Sequence, residues 1–181
     1  MLLNKFYELH SKKPLSYEYI YIVPKVFTGL CFITSDRSFR YFKNKKLHNE
    51  DGPAIVKESV QHWYLNGKRH RVDGPAIERY WGNNEWYLNG KLHRDDGPAI
   101  YSTHGVKKWY KHGLIHREGG PAIEYADVKY YLQNDKYHRT DGPAVVYYDG
   151  RKEWFLQDKY YGKNDKFTNE SWMHFQKCMI F

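Results

Sequence analysis

Five histidines recur at near-constant intervals: His48, His70, His93, His116 and His138 are separated by 22, 23, 23 and 22 residues. In four copies an arginine follows directly (Arg71, Arg94, Arg117, Arg139), and in four an aspartate stands three residues on (Asp51, Asp73, Asp96, Asp141). Histidine beside a carboxylate can hold a metal or move a proton. Neither chemistry suits this spacing. Zinc needs its ligands about 2.0–2.3 Å from one ion, whereas equivalent histidines of adjacent copies should lie roughly 10 Å apart if each copy adds two strands to a sheet. One copy alone supplies one histidine and one aspartate, too few for a structural zinc set. An active site is a single constellation, and this motif is written five times. Outside the pattern, His10, Tyr17, Cys31, His62, His104, His174 and Cys178 share no motif that joins them. The sequence therefore predicts no catalytic residue, no metal and no cofactor. The expected task of each ladder histidine is a hydrogen bond to a neighbouring turn or carboxylate that fixes the bend after it.

Seven residues before each histidine stands an aromatic: Tyr41, Trp63, Trp86, Trp109 and Tyr131. Neighbours along a strand point to opposite faces, so Trp63, Trp86, Trp109 and Trp154 should form one row and Tyr64, Tyr87, Tyr110 and Phe155 another. The tryptophan row, with Leu65, Leu88 and Leu156, is expected to be core. The tyrosine row shares its side with Asn66, Asn89, His112 and Asn134, a mixture of rings and amides that suits a partner-binding surface. Arg71, Arg94, Arg117 and Arg139 form a third row. Acidic neighbours argue for local ion pairs there, and the sharper reading is a line of guanidiniums for phosphate or carboxylate on a ligand.

These side chains need a frame that repeats. Asp-Gly-Pro-Ala recurs from Asp51, Asp73, Asp96 and Asp141, and as Gly-Gly-Pro-Ala from Gly119. After each proline comes a run such as Ala76-Ile77-Glu78-Arg79-Tyr80, rich in strand formers, ending at a turn such as Gly82-Asn83-Asn84 or Asp149-Gly150. A second strand carries the aromatic pair and closes at Asn66-Gly67 or Asn89-Gly90, the dipeptide most at ease with the positive φ angles of a tight hairpin. No helical spacing long enough for a crossover interrupts the array, so consecutive strands should pair as an antiparallel meander. The prediction is an all-β fold: an elongated meander of tandem hairpins, about six units over residues 32–163. The last unit is degenerate, with Tyr161 in the histidine's place. Residues 1–31 should form an N-terminal capping segment with strands over Tyr17–Val23 and Gly29–Thr34. Residues 164–181 should hold a short helix near Thr168–Lys177 that covers the last edge.

The run Trp-Tyr-Leu-Asn-Gly-Lys-x-His-Arg-x-Asp-Gly-Pro-Ala-Ile, present at 63–77 and 86–100, resembles a variant of the MORN repeat over about residues 32–163. It is similar to a sub-pattern in proteins of large DNA viruses and phages, and it departs from the usual unit by replacing Gly-x-Gly after the histidine with Arg-x-Asp-Gly-Pro-Ala. The resemblance implies hairpin units and a scaffold, oligomerisation or lipid-binding role, with a viral protein acting on a host factor as one form of it.

Charge narrows the partners. The chain carries 29 Lys+Arg against 21 Asp+Glu, but residues 51–150 hold 14 against 13, so the array lacks the excess positive charge that tracking a phosphate backbone requires. With two cysteines there is no disulfide framework, and no apolar run approaches the ~20 residues of a membrane span, so a cytoplasmic protein is expected. The leading expectation is a non-catalytic module that binds a protein partner through Tyr64, Tyr87 and Tyr110. The alternative is an anionic ligand (nucleotide, lipid headgroup or nucleic acid) held by the Arg and Tyr rows. The sheet ends offer a route to a homo-oligomer.

Overall fold

A computed structural model describes residues 15–17, 28–33 and 36–179. Most of the strand predicted over Tyr17–Val23 lies outside them. The chain is mostly antiparallel hairpins in a meander sheet, with a single helix at its C-terminal end among the described residues. None of those residues forms a helix long and apolar enough to cross a membrane.

The chain divides into two compact units, Met1–Lys91 and Leu92–Phe181. In the first, the strand order is Leu15–Tyr17, Gly29–Ile33, Ser38–Lys43, Ile55–Val56, Val60–His62, Ile77–Arg79 and Asn84–Glu85. Gly29–Ile33, Ser38–Lys43, Ile55–Val56, Val60–His62, Ile77–Arg79 and Asn84–Glu85 run antiparallel, each to the next, whereas the outermost strand, Leu15–Tyr17, runs parallel to Gly29–Ile33. In the second unit the order is Ile100–Tyr101, Lys107–Lys108, Ile123–Glu124, Val128–Tyr130, Val145–Tyr147, Lys152–Leu156 and Lys159–Lys163.

The aromatic strand is not continuous, as the sequence led us to expect, but divides at the Trp/Tyr position. Val60–His62 belongs to the main sheet, whereas Tyr64–Leu65 pairs with Lys68–Arg69 in a separate two-stranded hairpin. The reason is visible in the backbone bonds of the residue between them. The Trp63 N–H donates to Ala76 O in the main sheet at 2.8 Å, but its carbonyl accepts from the His70 N–H at 3.1 Å. The same pair of backbone bonds occurs at Tyr41, Trp109 and Tyr131; the strand divides at Trp109 and Tyr131, whereas Ser38–Lys43 runs unbroken through Tyr41. In the four middle copies the aromatic is thus a pivot at which the chain leaves the sheet for a separate two-stranded hairpin, while in the first and last copies the strand continues through it. Those hairpins turn on two successive positive-φ residues, such as Asn66 (51°) with Gly67 (80°) and Asn134 (53°) with Asp135 (66°). That is the backbone signature of the tight turn that Asn-Gly foretells.

The core also differs from the expected tryptophan row. The alanine after each proline (Ala54, Ala76, Ala99, Ala122, Ala144) is fully buried. Trp63, Trp86 and Trp109 are only half-buried, and of that row Trp154 alone is sealed. At the C-terminal end, Thr168 caps helix α1 (Asn169–Cys178) through a reciprocal bond with Ser171. The helix places Trp172 against the rings of Trp154, Tyr161 and Phe167. Trp172 Nε1 donates to Arg139 O at 3.0 Å and Gln176 Nε2 donates to Thr140 O at 2.7 Å. The helix therefore closes the last aromatic and the last connection through side chains. It packs on the last strand, Lys159–Lys163, through Tyr161, whose ring meets Trp172 at 5.4 Å and Phe175 at 5.6 Å.

Candidate partner-binding surface

The arginine row is committed to the repeat itself. Arg71 lies with its guanidinium carbon 4.0 Å from the Trp63 ring centre, Arg117 3.8 Å from Trp109 and Arg139 3.9 Å from Tyr131. Cations are held there by the negative face of the ring. Each guanidinium also reaches the bend that follows. Arg71 Nε donates to Asp73 Oδ1 at 3.0 Å, Arg94 to Asp96 at 2.8 Å and Arg139 to Asp141 at 2.7 Å. Arg71, Arg117 and Arg139 also donate to the carbonyls of Pro75, Pro121 and Pro143. Below the guanidinium lies the glycine of Asp-Gly-Pro or Gly-Gly-Pro. A Cβ built on Gly74, Gly97, Gly120 or Gly142 would come 2.8–3.0 Å from the guanidinium carbon, so the glycine is needed for space and not for a positive φ. In the first copy Asn49 stands where the others have arginine. Its Nδ2 donates to Pro53 O at 3.1 Å and leaves 3.5 Å above Gly52.

The histidines tie each copy to the next. The N–H of Asn66 donates to His48 Nδ1, that of Asn89 to His70 Nδ1 and that of His112 to His93 Nδ1, each at 3.1 Å. In every case the donor is the first positive-φ residue of the next hairpin turn. A ring whose Nδ1 accepts carries its proton on Nε2, and His48 Nε2 meets Glu50 Oε1 at 2.9 Å while His93 Nε2 meets Asp95 Oδ2 at 3.3 Å. Neutral imidazole satisfies both bonds. No group of three or more potential metal ligands occurs among the described residues.

An open groove of about 560 Å³ in the second unit runs between two consecutive connections, with Arg94, Trp109, His116 and Arg117 among its lining residues. Its arginines are already bonded, to Asp96 and to Glu124.

The tyrosine row is placed differently. Tyr64, Tyr87 and Tyr110 are half-buried, at the start of successive two-stranded hairpins. In the first unit this face is charged. The Arg69 guanidinium carbon lies 5.9 Å from the Tyr64 ring centre and 5.3 Å from that of Tyr87. Glu85 accepts from Arg79 at 2.8 Å and from the Tyr87 hydroxyl at 2.9 Å. Burial, followed by the nearby Arg69 and Arg79 cations, pulls His62 down to about 4. In the second unit the face is aromatic, with Tyr125, Tyr130, Tyr137, Phe155 and Tyr160 in ring contact from one to the next at 5.2–6.2 Å.

A pattern of rows brings out what repeats and hides what does not, so His62 stood alone outside the pattern and nothing joined it to Arg69, Arg79 and Glu85. The available signal was a break in register: Arg69 stands where the other copies have Leu47, Leu92, Ile115, Tyr137 and Tyr160. Comparison with known protein families and with curated proteins finds no match to this chain.

Proposed function

We propose that this chain is a non-catalytic repeat module, a variant of the MORN type, whose tyrosine face binds a protein partner. One observation carries the reading: Tyr64, Tyr87 and Tyr110 recur half-exposed at equivalent positions, while the neighbouring rows are used up in holding the fold. Tyrosine offers a large ring with a polar tip and loses little entropy on ordering, which is why it is common at interfaces. The arginines that an anionic ligand would need are each stacked or bonded within their own copy, which argues against that alternative.

The test is capture from a cell extract at physiological salt with the full chain as bait. A specific partner should be retained by the wild type and lost from the triple variant Tyr64→Ala, Tyr87→Ala, Tyr110→Ala. Arg71→Lys and Arg117→Lys should retain it. A partner that survives the tyrosine changes but is lost with the arginines would overturn this reading.

A further inference from the structure

The least balanced spot on the tyrosine face lies around Arg69. Arg69 sits opposite Tyr64 in its hairpin, and its neighbours are the rings of Tyr64 and Tyr87. Its Nε is shut off from solvent and has no hydrogen-bond partner, and the same is true of His62 Nδ1. The carboxylate of this cluster, Glu85, is taken: one oxygen receives Arg79 and the other the Tyr87 hydroxyl. Two guanidiniums thus share one carboxylate. His62 cannot compensate, since an imidazole is neutral or positive.

A half-buried guanidinium that must share its one nearby carboxylate, Glu85, with a second guanidinium is costly to keep, and the five other copies avoid it with an apolar residue or a tyrosine at this position. The hairpin tips of this unit add Lys46, Lys68 and Lys91. All three are exposed, and none has a carboxylate within ion-pairing distance among the described residues. The second unit lacks this bias: the corresponding positions hold Leu114, Lys136 and Lys159, and the two lysines follow Asp135 and Asp158.

We propose that the partner presents a short acidic segment, and that a glutamate or aspartate side chain of it pairs with Arg69 between Tyr64 and Tyr87. This rests on the tyrosine face being the partner surface. Guanidinium and carboxylate match in shape and can share two parallel hydrogen bonds, and the lysines steer the approach. A single unmatched guanidinium suits one or two carboxylates. A polynucleotide needs a continued positive field, which residues 51–150, with 14 basic and 13 acidic side chains, do not provide.

Fluorescence anisotropy of the full chain decides the matter, with three labelled probes at physiological salt: a twelve-residue Glu-Gly repeat peptide, its Gln-Gly counterpart, and a twelve-residue oligothymidine. The acidic peptide should bind roughly 10-fold or more tightly than the glutamine peptide, the usual scale of a charge-assisted bond. Arg69→Leu, which installs the residue of the Leu47 and Leu92 positions and so should fold, should remove that preference and leave the circular dichroism spectrum unchanged. Equal binding of the two peptides, an unaffected Arg69→Leu variant, or tighter binding of the oligothymidine would each overturn the proposal. If Arg69→Leu still captures a partner that the tyrosine triple variant loses, the acidic segment is excluded and the tyrosine surface stands. If neither variant changes capture, both readings fall.

Discussion

The two compact units share one repeat and dress it differently. In Met1–Lys91 the face beside the two-stranded hairpins holds His62, Arg69, Arg79 and Glu85, and in Leu92–Phe181 the corresponding positions hold a run of tyrosines and Phe155. Yet the pivot at the aromatic, the fully buried alanine and the paired positive-φ turn recur in both. The frame is therefore set by a few positions: aromatic, turn pair, histidine, arginine, glycine, proline and alanine. The positions between them are free to acquire chemistry. The first copy makes the point from inside the molecule, since Asn49 replaces the arginine and the bend is still formed.

Predictions that test this comparison run from large effects to small. Trp172→Ala empties a fully buried ring site at the end of the second unit and should cost about 3–5 kcal/mol. Hydrogen exchange should rise first over Lys152–Lys163 and later over Ser38–Lys43. Simultaneous loss would show that the two units unfold as one.

Next comes the glycine beneath the guanidinium. Gly74→Ala and Gly120→Ala force a methyl group to 2.8–2.9 Å from a pinned guanidinium and should cost about 1–3 kcal/mol, whereas Gly52→Ala meets only Asn49 Nδ2 at 3.5 Å and should stay within about 0.5 kcal/mol in urea titration. A large effect at Gly52 would mean that the bend, not the arginine, demands glycine.

Arg71→Lys and Arg117→Lys keep the charge but give up the planar stack and the multiple bonds, for about 1–2 kcal/mol each by thermal unfolding. Similar losses in the two units are expected, because the ring distances are 4.0 and 3.8 Å.

The last prediction concerns pH. His62 is held at about 4 in the folded chain, below the 6.5 of an ordinary histidine, so the unfolded chain binds its proton first. Its contribution is complete above about pH 6.5 and is lost as the pH falls towards about 4. Burial lowers His138 of the second unit as well, with the same sign. His62→Gln should flatten part of the fall in urea midpoint across this window and leave the remainder to His138 and other groups. Further acidification reaches Asp36. Burial raises its carboxyl, but Lys57, Ser38 and Arg40 more than offset that and hold it at about 2, so its contribution is lost below the ordinary 3.8.

Much of this was legible from residue spacing. The period, the Asn-Gly turns, the antiparallel meander and the Thr168-capped helix follow from local rules, because each depends on residues a few positions apart. The tryptophan core did not follow. Strand alternation assigns Trp63 to a face but cannot foresee that the chain pivots there, or that Arg71 folds back over the ring as its lid. The buried alanine was hidden for a related reason: a methyl group carries little hydropathy, and its importance comes from the crowding around it. The cluster at Arg69 was visible only as an exception to the period.

What the sequence determined by itself is the repeat and its turns, since short-range backbone preferences and side-chain size act before any distant contact forms. What only the tertiary structure decided is the fate of each row. Whether an arginine faces a ligand or its own tryptophan, and whether a histidine serves its own bend or the next copy's turn, depends on atoms 8 to 19 residues apart being brought within bonding distance by the folding of each copy and its packing on the next.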